Sequence, residues 1–161
     1  MSTPVEPDVV ALARRWRIEA NLATGDTPDW KLCPGVTAFQ PAAEPNIEDS
    51  SDYDSDGWAG NTKTGQSWEV SLTINRKVKE TAKTYNAVHE ALRLASFAYG
   101  EASRVHIRYM DRRGLPEAYE GYALVTWAPS GGEATALDQV EVTLTGDGPL
   151  LPIANPVVVT P

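Results

Sequence analysis

The sequence predicts a mainly β chain with one helix, an α+β fold built as an antiparallel β-sandwich or open barrel. Three observations carry this prediction. Five stretches alternate apolar and polar residues at period two, a single stretch at about residues 82–99 repeats at helical spacing, and turns rich in glycine and proline separate them. At 161 residues the chain suits one domain large enough to bury a core.

Residues 1–13 carry two prolines and little pattern, and read as an N-terminal arm. In "RRWRIEANL" that follows, Trp16, Ile18, Ala20 and Leu22 face one way and Arg15, Arg17, Glu19 and Asn21 the other, as in a half-buried strand. "TGDTPDW" and "CPG" punctuate a loop before "VTAF", a short strand. Residues 41–65 read as a long, polar, acidic loop with Gly57, Gly60 and Gly65 near its far end, a length typical of functional loops. "QSWEVSLTIN" is the clearest strand: Trp68, Val70, Leu72 and Ile74 make an apolar face, and Ser67, Glu69, Ser71, Thr73 and Asn75 a wholly polar one.

The helix at 82–99 places Tyr85, Val88, Leu92, Ala95 and Tyr99 on one stripe, with Gly100 as its stop and His89 as a boundary residue beside the stripe. Three strands follow, "RVHIRYM", "AYEGYALVTW" and "DQVEVTLT", joined by "DRRGLPE" and "PSGGE"; Gly121 inside the second marks a bulge or a close backbone approach. From Pro149 to the end there is no charge, three later prolines interrupt the chain, and "LLPI" and "VVV" are apolar. Such a segment needs a surface, either a neighbouring chain or its own domain as a last edge strand. The expected organisation is an arm at 1–13, a body at 14–148 and a second arm at 149–161.

The formal charge is −8, from 14 Lys and Arg against 22 Asp and Glu. Residues 44–56 hold six of those acids and no base, so the imbalance is concentrated in one segment. Neither the balance nor its distribution suits a protein that grips nucleic acid by neutralising phosphates. One cysteine, Cys33, forms no internal disulfide, and with His89 and His106 it has no zinc-ligand spacing. No signal-peptide core and no run of ~20 apolar residues is present, so the expectation is a soluble protein folded in a reducing cytoplasm, without membrane insertion.

No nucleophile elbow, phosphate loop or dinucleotide fingerprint occurs, and the chain is expected to be neither an enzyme nor a cofactor binder. The one motif-like stretch is "EDSSDYDSDGW". Asp52, Asp54, Asp56 and Gly57 match the start of a helix–loop–helix calcium loop, but Lys63 stands where its bidentate Glu belongs. A calcium-dependent binding module using these three aspartates is therefore the alternative from another class. Trp58 in the same stretch is an aromatic in an acidic loop, where such a residue either tucks back onto its own domain or serves a partner contact, the reading favoured here.

In order and spacing, "YDSDGW", "KTGQSWEVSLTINRK", "YNAVHEALRLA", "VHIRYMDRRG", "EAYEGYALVTWAPSGGE" and "VEVTLTGDGPLLPIANP" resemble the tail tube proteins, or major tail proteins, of long-tailed non-contractile bacteriophages, over roughly Trp16 to Pro156. The resemblance implies a β-sandwich flanked by a helix that assembles as hexameric rings stacked into a hollow tube, its strands joining an inner β-barrel. DNA transits the lumen during ejection without sequence-specific binding. It implies as partners further copies of the chain, a tape measure protein inside, and terminator and baseplate or tip proteins at the ends. The location implied is the virion tail, assembled in the host bacterial cytoplasm.

Under that resemblance Ser67, Glu69, Ser71 and Thr73 are candidate lumen-facing residues. Asp52, Asp54, Asp56, Trp58, Leu150, Leu151, Ile153, Val157 and Val158 are candidate inter-ring or intersubunit contacts. Another tail component, a terminator or head–tail connector, is the nearer alternative. Arg17 and Arg108, on polar strand faces, fit intersubunit salt bridges or a lumen wall equally well.

Overall fold

The structure is a computed structural model that describes residues 3–157; Val158 lies outside them. Its centre is one antiparallel sheet. In chain order its strands are β1 (Trp16–Asn21), β2 (Trp30–Leu32), β3 (Val36–Asp49), β4 (Asn61–Asn75), β7 (Arg104–Asp111), β8 (Ala118–Pro129), β9 (Gln139–Gly146) and β10 (Leu151–Pro152). Between β4 and β7 stand a two-strand hairpin, β5 (Val78–Lys79) with β6 (Thr84–Tyr85), and one helix, α1 (Ala87–Phe97). The spatial order is β2-β1-β7-β8-β9-β4-β3, and β10 pairs with β8.

This sheet curls, because its two ends share one core. Trp16 of β1 and Phe39 of β3, near opposite ends of the strand order, meet at 5.7 Å between ring centroids, and Tyr109 of β7 lies 5.4 Å from Phe39. Ile18, Val70, Leu72, Ile74, Ile107, Val140, Val142 and Leu144 fill the interior, each removed from water at roughly 1.5–3 kcal/mol. The alternating faces read from the sequence on β1, β4, β7 and β9 thus become the inside of an open, curled sandwich.

Three sequence expectations are corrected. The segment 41–65 is not an unstructured loop: β3 and β4 pair from Val36↔Ile74 to Asp49↔Asn61 as one long hairpin, leaving only 50–60 as its tip. β3 carries Pro41 and Pro45, which lack the N–H a central strand needs; at the sheet edge those missing donors cost nothing. The helix is shorter than 82–99. Asn86 caps it by accepting the backbone N–H groups of Val88 and His89, so Tyr85 belongs to β6. At the other end Tyr99 is exposed, beyond Phe97, and Gly100 opens a separate 3-10 turn. Val88, Leu92 and Ala95 remain the buried stripe.

His89 is the third correction: it is fully buried rather than at a boundary. Its Nε2 donates to the carbonyl oxygen of Pro34 at 2.8 Å, and its Nδ1 accepts the N–H of Lys77 at 3.3 Å, which requires the neutral ring. Burial pulls its pKa below the usual imidazole value, partly opposed by the bond to Pro34. The side chain ties the helix to the loops entering β3 and leaving β4.

Candidate functional site

Two surfaces and the C-terminal segment carry the candidate residues. The first is the outward face of β8, β9, β4 and β3. Register places it in rows: Ala38–Thr73–Glu141–Ala128, Gln40–Ser71–Thr143–Thr126 and Ala42–Glu69–Thr145–Leu124. Ser67 extends the face toward the tip, opposite Glu44. Ser67 and Glu69 are exposed, while Ser71 and Thr73 are half-covered by their neighbours. Across these rows every charged residue is acidic, and the remaining side chains are small or neutral. Alternation on β4 alone revealed one polar strip, but only the register aligns it with Thr143, Thr145 and Glu141.

The second surface is the hairpin tip. Asp52 caps a short 3-10 turn, Tyr53–Ser55: its carboxylate accepts the Asp54 N–H at 3.0 Å and the Ser55 hydroxyl at 3.1 Å, while Ser55 Oγ accepts the Asp52 N–H. Asp56 (φ 52°) and Gly57 (φ 81°) then take the left-handed conformation that reverses the chain. Two hydrogen bonds from Ser51 hold the Asp49 carboxyl below its usual pKa. Tyr53 is fully exposed and Trp58 is 81% exposed. Among the described residues no three His, Cys, Asp or Glu side chains converge as a metal set.

The C-terminal candidates lie on the chain's own body. Leu150 packs against the core, Leu151 and Pro152 pair with Glu120 and Tyr119 of β8, and the Ile153 N–H bonds the Ala118 carbonyl at 3.0 Å. Asn155 Nδ2 donates to the carbonyls of Asp111 and Leu115, and its Oδ1 accepts the Val157 N–H. Of the two readings of this arm, the edge strand is therefore realised within one chain, with Leu151 still 55% exposed. At the start of this segment the indole of Trp68 donates to the Gly148 carbonyl at 3.0 Å. A Cβ at Gly146 would stand 2.4 Å from Trp68 Nε1 and one at Gly121 2.8 Å from its Cζ2, so both glycines permit a close approach.

Arg108 and Arg17 have partners inside the chain. Arg108 donates to Glu19 at 2.9 Å across the β1–β7 pair, and Arg17 lies 3.7 Å from the same carboxylate. Arg15 similarly binds buried Asp111 at 3.0 Å and Glu117 at 2.9 Å. Burial opposes the charge on Asp111, but the hydrogen bonds from Arg15 and the backbone outweigh it and hold the carboxyl below its usual range. Burial also raises the Cys33 thiol to about 12, which makes it inert at neutral pH. The sequence reading missed one feature entirely, a cavity around Arg76, since a strand end followed by "RK" carries no signal for it.

No protein family model matches the sequence, and no curated protein matches it. Solved structures do. The chain superimposes on a chain from the tail of an empty gene transfer agent particle, refined with C6 symmetry, at a TM-score of 0.66 and 14% identity, covering 90% of this chain and 100% of that one. The fold is that of a tail tube subunit. The SPP1 tail tube matches at a TM-score of 0.64 and 13% identity, over 85% of this chain and 76% of the other. The baseplate of the anti-feeding prophage matches at 0.58 and 11%, over 94% of this chain and 97% of the other. In this fold the polar face and the projecting hairpin are both left uncovered by the single chain.

Proposed function

We propose that the protein is a structural subunit of a bacteriophage tail tube, forming six-membered rings that stack around a channel for DNA. The outward face of β3, β4, β8 and β9 supports this reading most directly. A wall of Ser, Thr, Gln and Ala with Glu69 and Glu141 as its charges offers phosphate no cation to bind, so DNA slides past it. Ser67, Glu69, Ser71 and Thr73 line the lumen in this arrangement. The edge of β3 pairs with the next subunit, which closes the ring and removes an open strand edge. The tip, with Asp52, Asp54, Asp56 and Trp58, reaches the adjacent ring, and Leu151, Ile153 and Val157 add contacts there. The subunit acts as a scaffold rather than a catalyst.

Electron microscopy of concentrated purified protein tests the proposal. Hollow tubes of stacked rings are expected. A protein that stays monomeric at high concentration and is absent from purified tails overturns it. The likeness to a baseplate chain supports a second reading, a component that forms one ring at a tail end; isolated rings that never stack distinguish that role.

A further inference from the structure

Arg76 follows β4 directly and lines a cavity of about 460 Å³ together with Tyr85, Arg93, Trp127, Pro129, Asp138 and Val140. Its guanidinium stands 4.0 Å from the Tyr85 ring and 5.0 Å from that of Trp127, and its side chain is only 7% exposed. Neither Nε nor Nη2 has a hydrogen-bond partner among the described residues. Glu90 pairs with Nη2 as an ion at 3.6 Å, too long for a hydrogen bond, and both of its oxygens accept from Arg93. Asp138 also lines the cavity, and its backbone oxygen accepts the Arg76 N–H at 2.9 Å. A buried guanidinium with idle donors is costly unless a carboxylate or similar anion completes it.

The hairpin tip offers carboxylates free to meet this guanidinium. Asp52 is committed to its cap, but the carboxylates of Asp54 and Asp56 accept no hydrogen bond among the described residues, and they flank exposed Tyr53 and Trp58. Tip and cavity stand at opposite ends of β4, whose fifteen residues span roughly 50 Å. No molecule can bring its own tip to its own Arg76. A second copy, stacked head to tail, can, and a heterologous contact of this kind repeats without closing on itself. Residues 76–93 carry five bases against two acids, while 44–56 carry six acids and no base, so charge favours the same pairing.

We infer that the tip of one subunit inserts the carboxylate of Asp54 or Asp56 into the Arg76 cavity of a subunit in the next ring. The carboxylate takes the idle guanidinium donors as charge-assisted hydrogen bonds. Tyr53 and Trp58 lie against the aromatic walls formed by Tyr85 and Trp127. This rests on the tube reading above and names the partner surface of its tip.

The experiment uses full-length protein with a photo-crosslinking amino acid at position 54. In assembled tubes, cross-links between copies are expected within residues 76–93 or 127–138. Tubes whose cross-links fall elsewhere overturn the assignment and leave the tube reading intact; absence of both tubes and cross-links overturns both. In parallel, Arg76→Gln and the double variant Asp54→Asn, Asp56→Asn are each expected to raise the concentration needed for tubes by about tenfold or more. Combined, they raise it no further than either alone, whereas multiplying effects overturn the pairing. Should Arg76→Gln fail to fold, the cross-link map alone decides.

Discussion

From Val36 to Gln40 on β3 and from Leu72 to Asn75 on β4, the ladder lies over the core, and Leu72 and Ile74 are buried beneath it. Between Asn46 and Asp49, and between Asn61 and Gly65, the same ladder continues with both faces exposed. Backbone hydrogen bonding is alike in the two regions, but burial is not. The inner half is held by apolar area removed from water; the outer half has little beyond its ladder and the capped turn at its tip. An isolated two-stranded ribbon is only marginally stable in water, so a projection of this length is a surface awaiting cover.

Where the two regions join, Trp68 is the last buried residue of β4 toward the tip, and changing it should have the largest effect. Trp68→Ala removes the packing against Gly121 and Gly146 and the bond to Gly148, and is expected to cost about 3–5 kcal/mol in chemical denaturation. A smaller loss would mean that the hairpin base is held by something other than this side chain. Gly146→Ala approaches the same contact from the opposite side. Its Cβ would overlap the indole, and a loss of about 1–3 kcal/mol in the same measurement is expected.

His89 sharpens the comparison through pH, because only the inner region depends on it. Its folded pKa lies below the unfolded value of about 6.5, so the unfolded chain binds the extra proton as pH falls through that value. This contribution is full above about 6.5 and is lost on acidification below it. Thermal melting should show a falling Tm from about pH 6.5 to 5, with a shallower slope in His89→Leu. The smallest stability change belongs to the outer region. Trp58→Ala should leave the unfolding free energy within about 0.5 kcal/mol of the unchanged chain while tube formation, read by sedimentation, falls. Unchanged assembly would remove Trp58 from the ring-to-ring contact.

Legibility in the sequence followed burial. β1, β4, β7 and β9 alternate because one face of each is core and the other is not, and period two records that difference directly. The outer part of β3 and the first residues of β4 do not alternate, since neither face is covered within the chain, so their polarity and acidity read as loop. The helix is visible from Val88, Leu92 and Ala95, but its start is set by the Asn86 cap, while the apolar spacing runs on to Tyr85. The polar strip on β4 and the acidic run of the tip are legible from residues close in sequence; the Arg76 cavity is not. Arg76, Tyr85 and Trp127 come from three separate segments, and no local pattern registers their meeting.

By itself the sequence determined the sheet-dominated class, the helix around Val88, Leu92 and Ala95, the polar face of β4 and the acidic character of 48–58, all properties set by neighbours a few residues away. The tertiary structure alone decided that 41–65 is a projecting ribbon, that Arg108 and Arg17 turn to Glu19, and that the C-terminal segment lies along β8. These depend on strand register and on contacts between distant segments. A chain writes its periodicity locally, but register and the meeting of distant segments emerge only when the strands are brought side by side.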